Sequence, residues 1–474
     1  MKILLLAMPD TADVIDFMAR LPNLALVSLA GNLPGHEVRV MDLVLFKPNV
    51  RKPLEDVLSS FRPDLVGLSS MTFQFDTLLR VAGFIRSRRP DVRIVAGGYH
   101  ATLLSDELTA GEQPLPLDYI VRGEGEETFA ELVSELGRAT PDLGRIEGLS
   151  YRDGSGWVHN PDRGLTVLDR LALPDRSARV ADGFSLIHLK MDVAETSRGC
   201  PFNCKFCCIN RMYGPTFRAH SEERIIADIQ DIRKRGAKAV FLADDNITYD
   251  IGHFRMVCRS IVKNGLNDLA YVVQLSAAGI ARNPDMAEEM DRANFRYAFV
   301  GFESMIPLAL KGVHKPTNPE INRQAAALLR KHNIAIIAGC VVGYPDDTEE
   351  SVKDNFRLIK KLKPDMIYAQ YLTPYPKTVI RKELLEEGLV ENIGDYRDYD
   401  GFHCNVRTRR MTRQKLYDTL KREALLSNFD PSLIFVNHFL RHYPFQFVSR
   451  IAKCAVLTAC NVMAGRQRTQ WLDL

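Results

Sequence analysis

This sequence lacks an excess of charge of either sign. Sixty-two lysines and arginines face 59 acids, leaving a net charge of +3. That gives no general case for nucleic-acid binding. Long apolar runs are also missing. The opening run, residues 3–8, stops at Pro9 and Asp10. It reads as a buried first strand and not as a signal peptide, and nothing reaches the ~18–20 apolar residues of a membrane span. The expectation is a cytoplasmic protein. Short-period repeats and low-complexity segments are absent. So are a Ser-His-Asp constellation and a His-Glu-x-x-His motif. Gly and Pro are at ordinary levels. Cysteine is not scarce: there are nine, an odd number, and Cys200, Cys204, Cys207 and Cys208 crowd into one short segment. A secreted disulfide framework would look different, and clustered cysteines in a reducing compartment more often bind metal.

A chain of 474 residues suggests two or three domains. Residues 1–140 alternate short apolar runs (3–7, 36–41, 65–69, 92–96, 118–121) with helical patterns (24–32, 53–61, 75–86, 126–136). This rhythm predicts a Rossmann-like, doubly wound parallel sheet, with ligands at the carboxyl ends of its strands. Those ends carry Ser69-Ser70-Met71-Thr72, Gly97-Gly98-Tyr99-His100-Ala101-Thr102 and Arg122-Gly123-Glu124-Gly125-Glu126. They are small, polar and glycine-rich, as loops must be where backbone approaches a large ligand. Residues 141–188 read as a hairpin, turning at Asp153-Gly154-Ser155-Gly156, and a linker. Residues 189–400 resume the alternation, with strands expected at 239–242, 271–275, 297–302, 334–342 and 366–371. That suits a full or partial β/α barrel. Residues 401–474 read as a mostly helical segment, basic (Arg407, Arg409, Arg410, Arg413, Lys415, Lys421, Arg422 and more beyond) and then aromatic (Phe435, Phe439, Tyr443, Phe445, Phe447). A membrane-surface helix fits this. A helical cap on the barrel with its basic side in solvent is the preferred reading, since any amphipathic helix looks like this.

The chemistry begins at Arg198-Gly199-Cys200-Pro201-Phe202-Asn203-Cys204-Lys205-Phe206-Cys207. Thiolates are soft ligands suited to iron–sulfur clusters. Cys200, Cys204 and Cys207 can ligate three corners of a [4Fe–4S] cubane. No fourth cysteine falls at a ferredoxin-like distance, so one iron is left open for a chelating ligand. A structural zinc site is the alternative, but zinc wants four ligands, and Cys208 is adjacent to Cys207 and poorly placed for the same ion.

With Phe206 in the aromatic place, this C-x₃-C-x-aromatic-C loop resembles the signature of the radical S-adenosylmethionine (SAM) superfamily. Over roughly residues 1–400 the chain resembles its cobalamin-binding branch. The resemblance implies an electron passing from the cluster into SAM, C–S cleavage, and a 5′-deoxyadenosyl radical. It further implies SAM contacts from Phe206, from Asp244 and Asp245 in Phe241-Leu242-Ala243-Asp244-Asp245-Asn246, and from Glu303 and Ser304 in Gly301-Phe302-Glu303-Ser304. Gly339, Val341, Gly343 and Pro345 of the following glycine-rich strand and turn complete that set. Thr373-Pro374-Tyr375-Pro376-Lys377-Thr378 is similar to the family's last-strand motif, but Lys377 stands where Gly is common, which puts that turn in doubt. In the first domain the resemblance makes Ser69, Ser70, Thr72, Gly97, Gly98, Tyr99, His100, Thr102, Gly123, Glu124 and Gly125 cobalamin contacts. The Asp-x-His-x-x-Gly motif is absent: the second strand is followed by Asp42-Leu43-Val44-Leu45-Phe46-Lys47. Cobalamin is therefore expected base-off, without a protein histidine on cobalt, His100 being the nearest temptation. A flavodoxin-like domain that binds nothing is the alternative.

The implied reaction is methylation of an unactivated carbon of a small or lipid-like substrate, by way of methylcobalamin and the 5′-deoxyadenosyl radical. Its electron donor would resemble flavodoxin or ferredoxin. No nucleic-acid partner is expected, and peripheral contact with the inner face of a membrane would run through the C-terminus. Tyr344, Tyr375 and Cys340 are candidates for handling protons. The alternatives are an oxidative cyclase or ring-rearranging enzyme of the same branch, and a non-catalytic corrinoid protein.

Overall fold

The computed structural model describes residues 1–11, 19–111, 114–154, 156–187, 189–434 and 437–438. The aromatic stretch beginning at Phe435, and the basic residues from Arg441 onward, lie outside the described residues. The chain divides into two compact units, one spanning Met1–Phe184 and the other starting at Ser185. Among the described residues no helix is long and apolar enough to cross a membrane.

The first unit is built on strands β1 (Lys2–Ala7), β2 (Glu37–Asp42), β3 (Leu65–Ser69), β4 (Arg93–Gly97) and β5 (Tyr119–Val121), all parallel. Their order is β2-β1-β3-β4-β5. A strand buried on both faces must be apolar throughout, and β1 is. Leu4 and Leu6 belong to the core on one face, Ile3 and Leu5 to the core on the other, and all four are fully buried. Each such side chain contributes roughly 1.5–3 kcal/mol by leaving water. Helices α1 (Leu24–Gly31), α2 (Arg51–Phe61), α3 (Phe75–Arg88) and α4 (Gly125–Leu136) cover the two faces. Asn23 starts α1 by accepting the Leu26 N–H at 3.1 Å. Because the chain turns one way from β1 to β2 and the other way to β3, the crevice opens beyond the ends of β1 and β3. The segment read as hairpin and linker contributes β6 (Leu149–Asp153) and β7 (Gly156–His159), which extend the same sheet antiparallel beyond β5.

In the second unit the strands are β8 (Leu189–Ala194), β9 (Ala239–Leu242), β10 (Ala270–Leu275), β11 (Phe295–Glu303), β12 (Ala335–Val342) and β13 (Met366–Tyr371). They pair in parallel in chain order, each with the next. Among the described residues β13 does not pair with β8, so the barrel is partial. Helices α5 (Glu222–Lys234), α6 (Ile251–Lys263), α7 (Pro319–Lys331) and α8 (Glu349–Lys360) pack one continuous core against the sheet.

Helix α9 (Arg413–Asn428) lies against the open edge. Its last residue, Asn428, accepts the Ile367 N–H at 2.8 Å and donates to the Ile367 carbonyl at 3.0 Å, so β13 is not left as a bare edge. Basic residues here meet acids of the barrel. Lys415 and Arg422 reach Glu349 at 2.5 and 3.0 Å, and Arg409 reaches Asp346 and Glu387 at 2.6 Å. Within the described residues this segment is a helical cap.

Candidate active site

In the first unit the three predicted loops meet at the strand ends. Gly98 has φ +94°, and a Cβ there would sit 2.4 Å from the Ser70 carbonyl oxygen. Only glycine lets the β3 and β4 loops touch in this way. Ser70 donates its N–H to the Gly97 carbonyl at 3.2 Å. Among the described residues the buried Ser70 hydroxyl has no hydrogen-bond partner, so the cradle holds a polar group awaiting one. The Thr102 hydroxyl accepts the Gly123 N–H at 3.1 Å, joining the β4 and β5 loops. Thr72 is buried at the turn into α3, and Gly125 begins α4. Two residues are turned to other tasks. Glu124 accepts the Thr166 N–H at 2.9 Å. His100, on the short helix Tyr99–Leu103, is buried with its ring 4.4 Å from that of Phe75, and burial pushes its pKa down to about 4. It is a neutral core histidine. Small loops, a close backbone approach and an unsatisfied hydroxyl fit a large ligand with many amide groups.

In the second unit the cysteine loop leaves the end of β8. A short antiparallel pair, Ser197–Arg198 with Arg218–Ala219, brackets it. Gly199 has φ +90°, and a Cβ there would lie 2.4 Å from the Thr216 oxygen. The acidic motif after β9 braces this loop. Asp244, fully buried, accepts from the Thr196 N–H at 3.2 Å and from the Thr196 and Ser197 hydroxyls at 2.6 and 2.5 Å. Burial lifts its pKa to about 7. Asp245 accepts the Gly199 N–H at 2.7 Å, and burial lifts it to about 6. Asn246 donates to the Cys200 sulfur at 3.6 Å.

Cys200, Cys204 and Cys207 are free thiols within electrostatic reach of one another. Burial pushes Cys204 up to about 11 and Cys207 up to about 12. Thiols this desolvated become good ligands when a cation offsets their charge, as iron does. Among the described residues no three His, Cys, Asp or Glu side chains converge on one ion. Three thiols spread along a braced loop fit the corners of a cluster better than a tetrahedral zinc ion. Tyr249 lies edge-on to Phe202 at 5.8 Å and beside Phe217 at 5.4 Å, so aromatic rings screen the loop.

The remaining predicted residues line the ends of β11 and β12. At the end of β11 the register with β12 shifts between Gly301 and Glu303, and Glu303 adopts φ +59°. A side chain in that region costs roughly 1–2 kcal/mol. The Glu303 carboxylate meets Lys315 at 2.6 Å, both well buried, and Lys315 lies 6.0 Å from the Phe206 ring centre. Ser304 is turned away: its hydroxyl donates to Asn355 at 3.3 Å and accepts the Ile306 N–H at 3.0 Å. Gly339 is closely faced by the Phe299 ring, 3.2 Å from where its Cβ would be. Gly343 has φ +95°, and Asp347 accepts the Gly343 and Tyr344 N–H groups at 2.8 and 3.1 Å. Val341 and Pro345 are half-buried on the same strand and turn. Lys377 takes φ +61°, so the last-strand turn keeps the backbone that a glycine would give it.

Sequence reasoning did not single out Lys315, Asn246 or Asn355. Lysine and asparagine in helical or loop segments carry no signal of their partners. Thr196 and Ser197 were within view, beside the cysteines, but only the fold shows that they donate to Asp244.

Two outcomes are expected. Asp244→Ala leaves three donors without their acceptor and costs about 2–4 kcal/mol. Thermal unfolding should fall accordingly, and iron and sulfide content after reconstitution should drop, with Asp244→Asn milder in both. Lys377→Gly removes a left-handed side chain and should raise stability by up to ~1 kcal/mol in denaturant titration; a loss of stability would contradict that reading of the turn.

The B12 binding domain family matches residues 11–133 and the Radical SAM superfamily matches residues 194–359. The uncharacterized methyltransferase PH0819 of Pyrococcus horikoshii is 28% identical over 451 residues, covering 94% of this chain and 96% of its own. The anaerobic magnesium-protoporphyrin IX monomethyl ester cyclase of Rubrivivax gelatinosus is 26% identical over 399 residues, covering 83% of this chain and 69% of its own. Among solved structures, the radical S-adenosylmethionine methyltransferase TsrM from Kitasatospora setae, with cobalamin and a [4Fe-4S] cluster bound, superposes with a TM-score of 0.67 at 20% identity, over 81% of this chain and 75% of that one. That similarity speaks to the fold. A glycine cradle on a 2-1-3-4-5 sheet, three braced cysteines at the mouth of a partial barrel, and both family matches in that order leave one assignment: the chain is a cobalamin-binding radical-SAM enzyme, whose family implies a [4Fe–4S] cluster, SAM and cobalamin as cofactors.

Proposed function

We propose that this enzyme is a C-methyltransferase acting on an unactivated carbon of a small-molecule or lipid-like substrate. The observation that carries the radical half is the braced cysteine loop, on which Cys200, Cys204 and Cys207 lie within electrostatic reach of one another and burial pushes Cys204 and Cys207 up. The choice of methyl transfer draws on the similarity to PH0819, which runs nearly end to end in both chains. When bound, the cluster and SAM supply a means of removing hydrogen from an inert carbon, and cobalamin supplies a methyl carrier.

The chain's own residues hold and shield. Cys200, Cys204 and Cys207 would ligate the cluster. Asp244, Asp245 and Asn246 fix the loop that carries them. Glu303 and the backbone at Gly339 and Gly343 would position SAM. Ser70, Gly97, Gly98, Thr102 and Gly123 would admit cobalamin. Inside the barrel, Phe299, Tyr368 and Phe402 form an edge-to-face row with centroids 5.4 and 5.3 Å apart, an apolar wall that excludes water. A one-electron donor such as a flavodoxin or ferredoxin would feed the cluster. The second reading, an oxidative cyclase, draws on the similarity to the Rubrivivax cyclase.

The test is anaerobic reconstitution with iron, sulfide and hydroxocobalamin, followed by SAM, a strong reductant and candidate substrates. Retained cobalamin with formation of both 5′-deoxyadenosine and S-adenosylhomocysteine is expected. If 5′-deoxyadenosine alone appears with a turned-over substrate, the cyclase reading replaces methyl transfer. Cys204→Ala should lose the cluster's absorbance and form no 5′-deoxyadenosine above background. Cys208→Ala should keep both, since Cys208 is not a ligand in this account.

A further inference from the structure

Asn246 follows the two aspartates that brace the cysteine loop, and its buried side chain meets a thiol of that loop. Its amide nitrogen donates to the Cys200 sulfur at 3.6 Å, an ordinary separation for so large an acceptor atom. The other end of the amide is engaged too. Its oxygen accepts the Thr248 hydroxyl at 2.9 Å. That hydroxyl accepts the Ser276 N–H at 3.0 Å and lies 2.9 Å from the Ser276 hydroxyl. Ser276 Oγ accepts the Gly279 N–H at 3.3 Å. The serine hydrogen is thus left for Thr248, and the threonine hydrogen for Asn246.

This relay runs from the end of β10 to the sulfur, and Asn246, Thr248 and Ser276 are all buried. Gly279 makes room for it: a Cβ there would sit 2.4 Å from the Thr248 Cβ and 2.7 Å from its hydroxyl oxygen. An asparagine amide can present either its N–H₂ or its oxygen, with almost the same shape. Turned over, Asn246 would set its oxygen against a thiolate. It would also aim its N–H₂ at a hydroxyl that already receives two donors. The relay therefore selects the orientation in which N–H faces sulfur. Hydrogen bonds to the sulfurs are among the factors that set a cluster's potential, and they are strong where water is excluded.

We propose that Asn246 raises the reduction potential of the cluster: its N–H, aimed at the Cys200 sulfur, favours the reduced and more negative state. Thr248 is a positioning residue that keeps the amide turned that way. The inference rests on the cluster-ligand role given to Cys200.

The experiment is an anaerobic redox titration of the cluster-loaded full chain, without SAM or substrate. It follows the electron paramagnetic resonance signal of the reduced cluster, scaled to the iron each variant holds. Asn246→Leu keeps the approximate shape and removes the donor. Its cluster should be about two- to tenfold harder to reduce, a midpoint lower by ~20–60 mV at about 59 mV per tenfold for one electron. Thr248→Val frees the amide to turn and should lower the midpoint as well. Thr248→Ser keeps the hydroxyl and should keep the wild-type midpoint. In an Asn246→Leu background, Thr248→Val should add no further shift. An unchanged midpoint in Asn246→Leu or in Thr248→Val overturns the inference. So does a midpoint in Thr248→Ser as low as in Thr248→Val, which would make packing and not the hydroxyl the cause. If Asn246→Leu takes up no cluster, the two Thr248 variants decide by the same criteria. If wild type takes up no [4Fe–4S] cluster, the reading of the cysteines falls, and this inference with it.

Discussion

A carboxylate cut off from solvent organises the second unit. Asp244 stands at the end of β9 and gathers three donors from the segment that leads into the cysteines. Asp245 and Asn246 extend the same grip to Gly199 and Cys200. Such bonds are strong because no water competes, and loss of any partner is costly for the same reason. The cysteine loop has little regular structure of its own, so its shape depends on this neighbour strand. A cluster needs its ligands held before it arrives, and a rigid strand end provides that.

The first unit solves a different problem with backbone instead of charge. Gly98 lets one loop lie directly on Ser70. The cost is a buried hydroxyl without a partner among the described residues and a glycine that cannot be replaced. Both make sense if a large polar ligand fills the crevice. His100 is packed on Phe75 and kept neutral by burial.

Much of this was legible in the sequence, for identifiable reasons. A parallel strand covered by helices is largely apolar, so it writes itself as a short apolar run. Strand positions 65–69, 239–242 and 366–371 therefore match the structure to the residue. The cysteine spacing is legible because ligation constrains identity and order together. What stayed hidden depends on who meets whom. The Glu303–Lys315 pair joins residues twelve apart through a register shift that leaves no pattern. The edge cover from Asn428 spans 61 positions. Lys377 stands where glycine is common, and its backbone takes φ +61°, a region that favours glycine. The basic run at 409–422 read as a helical cap or as a surface for lipids, and among the described residues Arg409, Lys415 and Arg422 pair with Asp346, Glu387 and Glu349.

The central claim is that three cysteines hold a cluster whose fourth iron is open to SAM. Electron paramagnetic resonance of the reduced, cluster-loaded protein tests it most directly. The account predicts a [4Fe–4S]⁺ signal that changes shape when SAM is added, in wild type and in Cys208→Ala alike. A signal indifferent to SAM, or one that vanishes with Cys208, would contradict it.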